Sequence, residues 1–315
     1  MSADAQESIH RLLREIDHIV LGKREQTRLI LAAWIAGGHV LLDDVPGVAK
    51  TRLARALAAL IGLGFARIQG TPDLLPQDIT GGVVYDLKTQ DLVFRPGPVF
   101  QHIILVDEIN RTTPRTQAAL LECMEERQVT IDGSTHPLPT PFLVIATQNP
   151  EEMEGTFPLP EAELDRFLIS LALGYPSTSE ERQLVLDFSN RDPLDTATPI
   201  WDGAELTALS EQAKEVLLNA TTLEYLVNLC RTTREHPLVE LGASPRTTVR
   251  FAQLARAFAL IQGDTFVTPD HIKYLAPYVL SHRLKPSASA AVSRLGGREL
   301  VAQIVNDVPV PVETP

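Results

Sequence analysis

The sequence predicts an α/β fold: a parallel sheet flanked by helices, interrupted by two inserted hairpins and followed by a small all-α domain. Three observations carry this. Leu41–Thr51 (LLDDVPGVAKT) runs from an apolar strand through a Pro-Gly turn into a helical stretch. Gln101–Arg111 (QHIILVDEINR) holds a wholly apolar run ending in two acids, as in a strand buried on both faces of a parallel sheet. Short apolar runs alternate with helical or loop segments up to Gly174, whereas Asp202–Arg283 reads almost entirely helical. That is a β/α alternation followed by an α unit.

In chain order, Ile9, Leu12, Leu13 and Ile16 recur at helical spacing and predict an amphipathic first helix. A Val20–Lys23 link precedes a second helix over Arg24–Ala36, stopped by Gly37-Gly38. Strands are expected at His39–Leu42, Phe65–Ile68, Ile103–Val106, Phe142–Ala146 and Phe167–Leu173. Ile79–Phe100 places two β-favouring runs around a polar turn, and Gln128–Leu138 centres on Asp132-Gly133, so both read as hairpins. The polar stretch Ser177–Thr198 carries one helical piece, Glu180–Phe188. Ser244-Pro245 and Thr268-Pro269 each pair an N-cap with proline at the first helical position. The expected domains are 1–175, a linker over 176–200, a helical domain over 201–285, and a small, polar, partly mobile tail over 286–315.

The chemistry concentrates where such strands end. After the first strand, the turn Val45-Pro46-Gly47-Val48-Ala49 suits an anion through its backbone N–H groups, which all but Pro46 possess, and the dipole of the following helix favours it. Lys50 would reach β- and γ-phosphates, and the Thr51 hydroxyl would ligate Mg²⁺. The usual phosphate loop has two glycines; here Asp44 and Ala49 stand in those places, with Gly47 between. After the Ile103–Val106 strand, Asp107 suits Mg²⁺ and Glu108 suits polarisation of a water. Together they predict hydrolysis of a bound nucleotide, with ATP and Mg²⁺ as cofactors.

Composition excludes several alternatives. The 315 residues carry a net charge of −12 and a pI near 5.1, a balance that disfavours nucleic-acid binding. No apolar run reaches the roughly 18–20 residues that span a membrane, and the N-terminus lacks a signal-peptide apolar core. Cys123 and Cys230 have no metal-ligand spacing. A cytosolic protein with reduced thiols is expected.

The strings DVPGVAKT, RIQGTPDLLPQDITG, FRPGPVF, ILVDEINR, FLVIATQNP, EGTFPLPEAELDRF, TREHPLVELGASPR and VTPDHI…VLSHRL resemble the MoxR group of AAA+ ATPases, in order, from Val20 to about Leu284. The resemblance implies an AAA+ P-loop domain with a helical lid. It assigns Asn149 to sensor 1 at the γ-phosphate, Arg166 to an arginine finger reaching a neighbouring subunit, and Arg246 to sensor 2 over its own subunit's phosphates. Val20-Leu21-Gly22 corresponds to the segment lining the adenine. A turn-forming role for Asn149, a salt bridge of Arg166 with Asp165 or Glu163, and plain apolar packing of Val20–Gly22 would explain the same residues. The hairpins correspond to inserts that face the ring pore, and Arg111 and Arg115 to residues facing the adjacent subunit. The implied function is an ATP-driven, chaperone-like remodeller: a homo-oligomeric, hexameric ring working with a client complex and a von Willebrand factor A domain protein. A magnesium-chelatase-type motor, a nucleotide switch with little turnover and a DNA-associated ATPase are the competing readings.

Overall fold

The computed structural model describes residues 3–149, 155–187, 192–293 and 295–310. Helix α1 (Ala3–Ile19) turns Ile9, Leu12, Leu13 and Ile16 into the core, and α2 (Arg24–Ile35) is buried along most of its length. β1 (Val40–Asp43) leads through the loop at 44–49 into α3 (Lys50–Ile61). Helix α3 ends at Gly62, whose left-handed backbone (φ 66°) lets its N–H cap the carbonyls of Ala58 and Ala59. Next come β2 (Phe65–Gln69), the short α4 (Pro76–Thr80) and the first hairpin, β3 (Gly81–Asp86) with β4 (Asp91–Pro96). β5 (Ile103–Asp107) and α5 (Pro114–Glu126) precede the second hairpin, β6 (Gln128–Ile131) with β7 (Ser134–Pro137). β8 (Leu143–Gln148), α6 (Glu161–Leu164) and β9 (Ile169–Leu171) complete the unit.

Five strands form one parallel sheet in the order β2-β5-β8-β1-β9, with Leu41 opposite Ala146 and Ile104 opposite Val144. Because side chains alternate along a strand, Val40, Leu42, Ile103, Leu105, Leu143 and Ile145 join one core with α1, α2 and α3. Leu41, Ile104, Val106, Val144 and Ala146 join another with Leu120, Leu121 and Met124 of α5. Both faces are covered, which is why these strands read as unbroken apolar runs. The order sets β5, β8 and β1 side by side, so the loops after them open at one edge.

Beyond the sheet lie α7 (Thr178–Asp187), a 3₁₀ turn at Pro193–Thr196, α8 (Gly203–Glu215), α9 (Ala220–Glu235), β10 (Val239–Leu241), α10 (Pro245–Gln262) and α11 (Pro269–Leu280). Both anticipated caps form. The Ser244 hydroxyl accepts the Thr247 N–H at 3.1 Å, and the Thr268 hydroxyl accepts that of His271 at 3.3 Å. Helix α10 packs on α2, and Phe251, Leu254 and Leu275 share the α1–α3 core.

Three expectations are corrected. The helical reading of 201–285 omitted β10, which pairs with β11 (Lys285–Pro286) through Val239 and Pro286; a three-residue strand is too short for periodicity to reveal. The tail is not simply mobile: α12 (Ala288–Val292) and α13 (Gly297–Asp307) follow, and α13 buries Leu300, Val301 and Ile304 against the helical domain. The helix is short and its buried face of Leu300, Val301 and Ile304 is set among polar residues, so composition hides it. Helix α7 starts at Thr178, ahead of Glu180; its expected end at Phe188 lies outside the described residues.

Candidate active site

A cavity of about 390 Å³ opens at the strand ends, with Gly47, Lys50, Thr51, Asp107, Glu108 and Asn149 in its wall. Three separate stretches of sequence thus converge on one cavity. Gly47 has φ +87°, a left-handed value that glycine adopts without steric cost. Ala49 has φ 66° and serves as N-cap of α3, so a residue with a Cβ occupies a left-handed position. Val45 and Val48 belong to the same loop, but Val48 is buried and neither lines the cavity.

Lys50 Nζ donates to the Asp44 carbonyl at 2.6 Å, which holds the lysine across the loop. Burial lowers its ammonium pKa, while Asp44, Asp107, Asp43 and Glu108 act in the opposite sense. Those four carboxylates show how acidic the surroundings of the phosphate loop are.

Asp44 explains the missing first glycine. Its Oδ2 accepts the N–H groups of Leu173 (2.5 Å) and Gly174 (2.9 Å), and its Oδ1 accepts that of Val45 (2.9 Å). The buried Lys23 donates to the carbonyls of Leu173 (2.9 Å), Gly174 (2.9 Å) and Tyr175 (3.2 Å). The phosphate loop is therefore tied through a side chain to the turn that ends the sheet domain. Sequence inspection missed both ties, because each joins residues more than a hundred positions apart.

At the end of β5, Asp107 Oδ2 accepts Arg67 Nε at 2.6 Å. Glu108 is left-handed (φ 56°) and pairs with Arg111 Nε at 3.1 Å. It also accepts Gln69 Nε2 at 3.3 Å, and its own N–H donates to Thr147 Oγ1 at 2.9 Å. Arg67, Gln69 and Thr147 all line the cavity, and sequence reasoning named none of them. Arg67 stands two residues before Gln69 on β2, a spacing that puts both on one face; this was the available signal.

The oxygen donors present fit Mg²⁺. Thr51 offers a hydroxyl and Asp107 a carboxylate in the same cavity. Among the described residues no group of three or more His, Cys, Asp or Glu could cage a metal. That suits an ion held by few protein ligands and completed by phosphates.

Val20–Gly22 does not reach this cavity. Val20 is buried, and the neighbouring Ile19 carbonyl accepts Arg52 Nε at 2.8 Å. The Arg52 fork clamps Asp192 at 2.8 and 2.6 Å, so the residue after Thr51 ties the end of α1 to the inter-domain stretch. Arg52 had no motif to betray it.

Arg166 and Arg246 also lie outside the cavity wall. Arg166 Nε lies 3.2 Å from Glu125 Oε2, and Arg166 also acts electrostatically on Glu163, one of the two partners the sequence offered. Arg246 Nη1 lies 2.7 Å from Glu125 Oε1. The first turn of α10 thus brings Arg246 beside Arg166. Asp165 instead takes Arg283 Nε at 2.7 Å, the Thr247 hydroxyl at 2.9 Å and the Ser244 hydroxyl at 3.0 Å. Burial would raise its pKa, yet Arg283, Thr247 and Ser244 outweigh that and hold the carboxyl below its usual range. Arg283 is buried and also donates to the carbonyls of Phe167 and Leu168.

Fold and site together define a P-loop ATPase of the AAA class. Residues 39–169 match the "ATPase family associated with various cellular activities (AAA)" and residues 231–304 the AAA lid domain. A Bacillus subtilis protein named YeaC is 46% identical over 98% of both chains. Chaperone MoxR1 of Mycobacterium tuberculosis is 37% identical over 96% of this chain and 82% of its own. A crystal structure from Cytophaga hutchinsonii, of a protein provisionally named an ATPase, superposes with a TM-score of 0.91 at 34% identity. It covers 98% of this chain and 96% of its own. The chain belongs to the MoxR family of AAA+ ATPases.

Proposed function

We propose that this protein hydrolyses ATP with Mg²⁺ in a homo-oligomeric, hexameric ring and uses the cycle to remodel client protein complexes in the cytoplasm. The observation that carries the enzymatic part is the convergence of Lys50, Thr51, Asp107, Glu108 and Asn149 on one cavity. Lys50 binds the β- and γ-phosphates, exchanging its bond to the Asp44 carbonyl for the stronger anion. Glu108 takes the proton of the attacking water, and Asn149 orients that water. Thr51 and Asp107 would hold Mg²⁺, which would neutralise phosphate charge there; Arg67 holds the Asp107 carboxylate in place at 2.6 Å.

Arg166 and Arg246 complete the site of a neighbouring subunit. The support for both acting in trans is their common position at Glu125, away from their own cavity. The client-handling part rests on the first hairpin, where Tyr85, Leu87 and Leu92 are exposed to solvent at 56, 83 and 73%. An isolated hairpin with such side chains is suited to gripping an apolar segment of a partner. A von Willebrand factor A domain protein is the expected adaptor, and among the described residues no helix is long and apolar enough to cross a membrane.

The test is calorimetry with ATP and a phosphate-release assay. Lys50→Ala should lose nucleotide binding, whereas Glu108→Gln should bind ATP and lose turnover by about 100-fold or more. Equal hydrolysis by Glu108→Gln and the native protein removes Glu108 from the mechanism.

A further inference from the structure

Glu125 sits near the end of α5 and belongs to none of the motifs, yet two functional arginines from distant parts of the chain converge on it. One comes from the segment before β9 and the other from the first turn of α10. Arg166 approaches one carboxylate oxygen at 3.2 Å and Arg246 the other at 2.7 Å. The three side chains are about one third to one half exposed, at 32% for Glu125, 30% for Arg166 and 45% for Arg246. The carboxylate therefore meets solvent together with both guanidinium groups.

Arg250 lies one turn beyond Arg246 on α10; burial, then Arg246 beside it, lowers its pKa, with Glu125 opposing. Arg127, at the end of α5, feels Arg250 in the same way. Its fork is spent on the carbonyls of Phe142 (2.8 Å) and Gly37 (2.7 Å), and Arg250 also donates to Gly37 at 3.3 Å. Arg127 and Arg250 are thus fixed as structural cations. Glu125 bridges the outer pair and Glu163 also feels Arg166, so the four arginines outnumber these two carboxylates and the cluster is net positive. A cluster of this sign attracts a phosphate chain, and without the Glu125 carboxylate the guanidinium groups would repel one another out of register.

We propose that Glu125 is a positioning residue for the ATPase reaction. Its two oxygens set the spacing of Arg166 and Arg246 and present them as one unit to the triphosphate held by the next subunit. The inference rests on the proposed action of both arginines in trans. Glu125 itself contacts no phosphate; it acts through the two arginines. Because Arg166 precedes β9 and Arg246 lies in the first turn of α10 within the helical domain, the same carboxylate also makes the spacing depend on how that domain sits on the sheet.

Glu125→Gln keeps shape and removes the charge. Calorimetry should show ATP binding unchanged, because the variant's own cavity is intact, while turnover falls on the order of 10- to 100-fold, the scale of misplaced catalytic groups. Glu125→Asp, too short to touch both arginines, should fall between native and Gln; it carries the test if the Gln variant does not fold. Mixing Glu125→Gln with Lys50→Ala should restore part of the activity, since the Lys50→Ala neighbour supplies an intact arginine pair. Mixing it with Arg166→Ala should restore none, because both variants are defective on the same face. Full activity of Glu125→Gln overturns the proposal. So does failure of the Lys50→Ala mixture to recover when a parallel mixture of Arg166→Ala with Lys50→Ala does recover; action in trans then stands and Glu125 is removed from it. If neither mixture recovers although light scattering shows mixed assemblies, action in trans fails and the proposal with it.

Discussion

Ala49 carries the sharpest local conflict between sequence and backbone. A left-handed φ of 66° costs an L-residue about 1–2 kcal/mol, and glycine would escape it at an unfolded-state entropy cost of about 0.5–1 kcal/mol. Ala49→Gly should therefore raise unfolding stability by about 0.5–1 kcal/mol in urea titrations, and Ala49→Val, with its branched Cβ, should lower it. A loss of stability in the glycine variant would mean that the alanine methyl contributes packing that outweighs the strain. Residues whose chemistry is written in local spacing were legible: Lys50 and Thr51 follow a turn, and Asp107 and Glu108 end an apolar run. Asp44, Lys23, Arg52, Arg67 and Glu125 were not. Their distant partners stand between 33 and 152 positions away, and no periodicity links side chains to groups that the fold alone brings near.

Among the elements, strands buried on both faces announced themselves, and so did helices with Ser-Pro or Thr-Pro starts. Helix α13 did not. Leu300→Ala should cost about 2–5 kcal/mol, the range for truncating a fully buried leucine, measured as a shift of the thermal midpoint; an unchanged midpoint would return this segment to the status of a mobile tail. Packing of elements also traps two histidines. His39, at the entry to β1, accepts the Val144 N–H through Nδ1 at 3.0 Å and meets the Met124 carbonyl through Nε2 at 3.1 Å, which defines a neutral ring protonated at Nε2. His282 meets the Phe167 carbonyl at 3.1 Å. Burial first, and then nearby arginines, push both well below the ordinary value of 6.5. With folded pKa values depressed, the unfolded chain binds the extra protons below pH 6.5. Stability is then fully present above that pH and declines as pH falls toward the folded values, by about 1.4 kcal/mol per pH unit for each ring. Denaturant midpoints at pH 7.5, 6.0 and 5.5 should show the decline. His282→Asn, which keeps a donor but cannot titrate, should remove about half of the part due to these two rings. An identical pH profile in the variant would exclude His282 as a source.

For the whole molecule, sequence alone displayed the family and the two-domain plan, because the motifs recur in order over nearly the entire chain. How the domains join was not displayed. Asp44, Lys23, Arg52 and the Asp165–Arg283 pair each knot the phosphate loop or the arginine segment to another part of the chain, so a change at the nucleotide has short mechanical routes to the helical domain. On the proposed action of Arg166 and Arg246 in trans, the isolated subunit is half a site: the phosphate cradle lies at one place and the two arginines, gathered by Glu125, at another. Specific ATPase activity should therefore depend on protein concentration. The most direct measurement is phosphate release per subunit over a dilution series in ATP and Mg²⁺, with light scattering on the same samples. The account predicts a rate per subunit that climbs steeply as rings form and collapses on dilution to monomers. A constant rate per subunit, maintained where scattering shows only monomers, would contradict it.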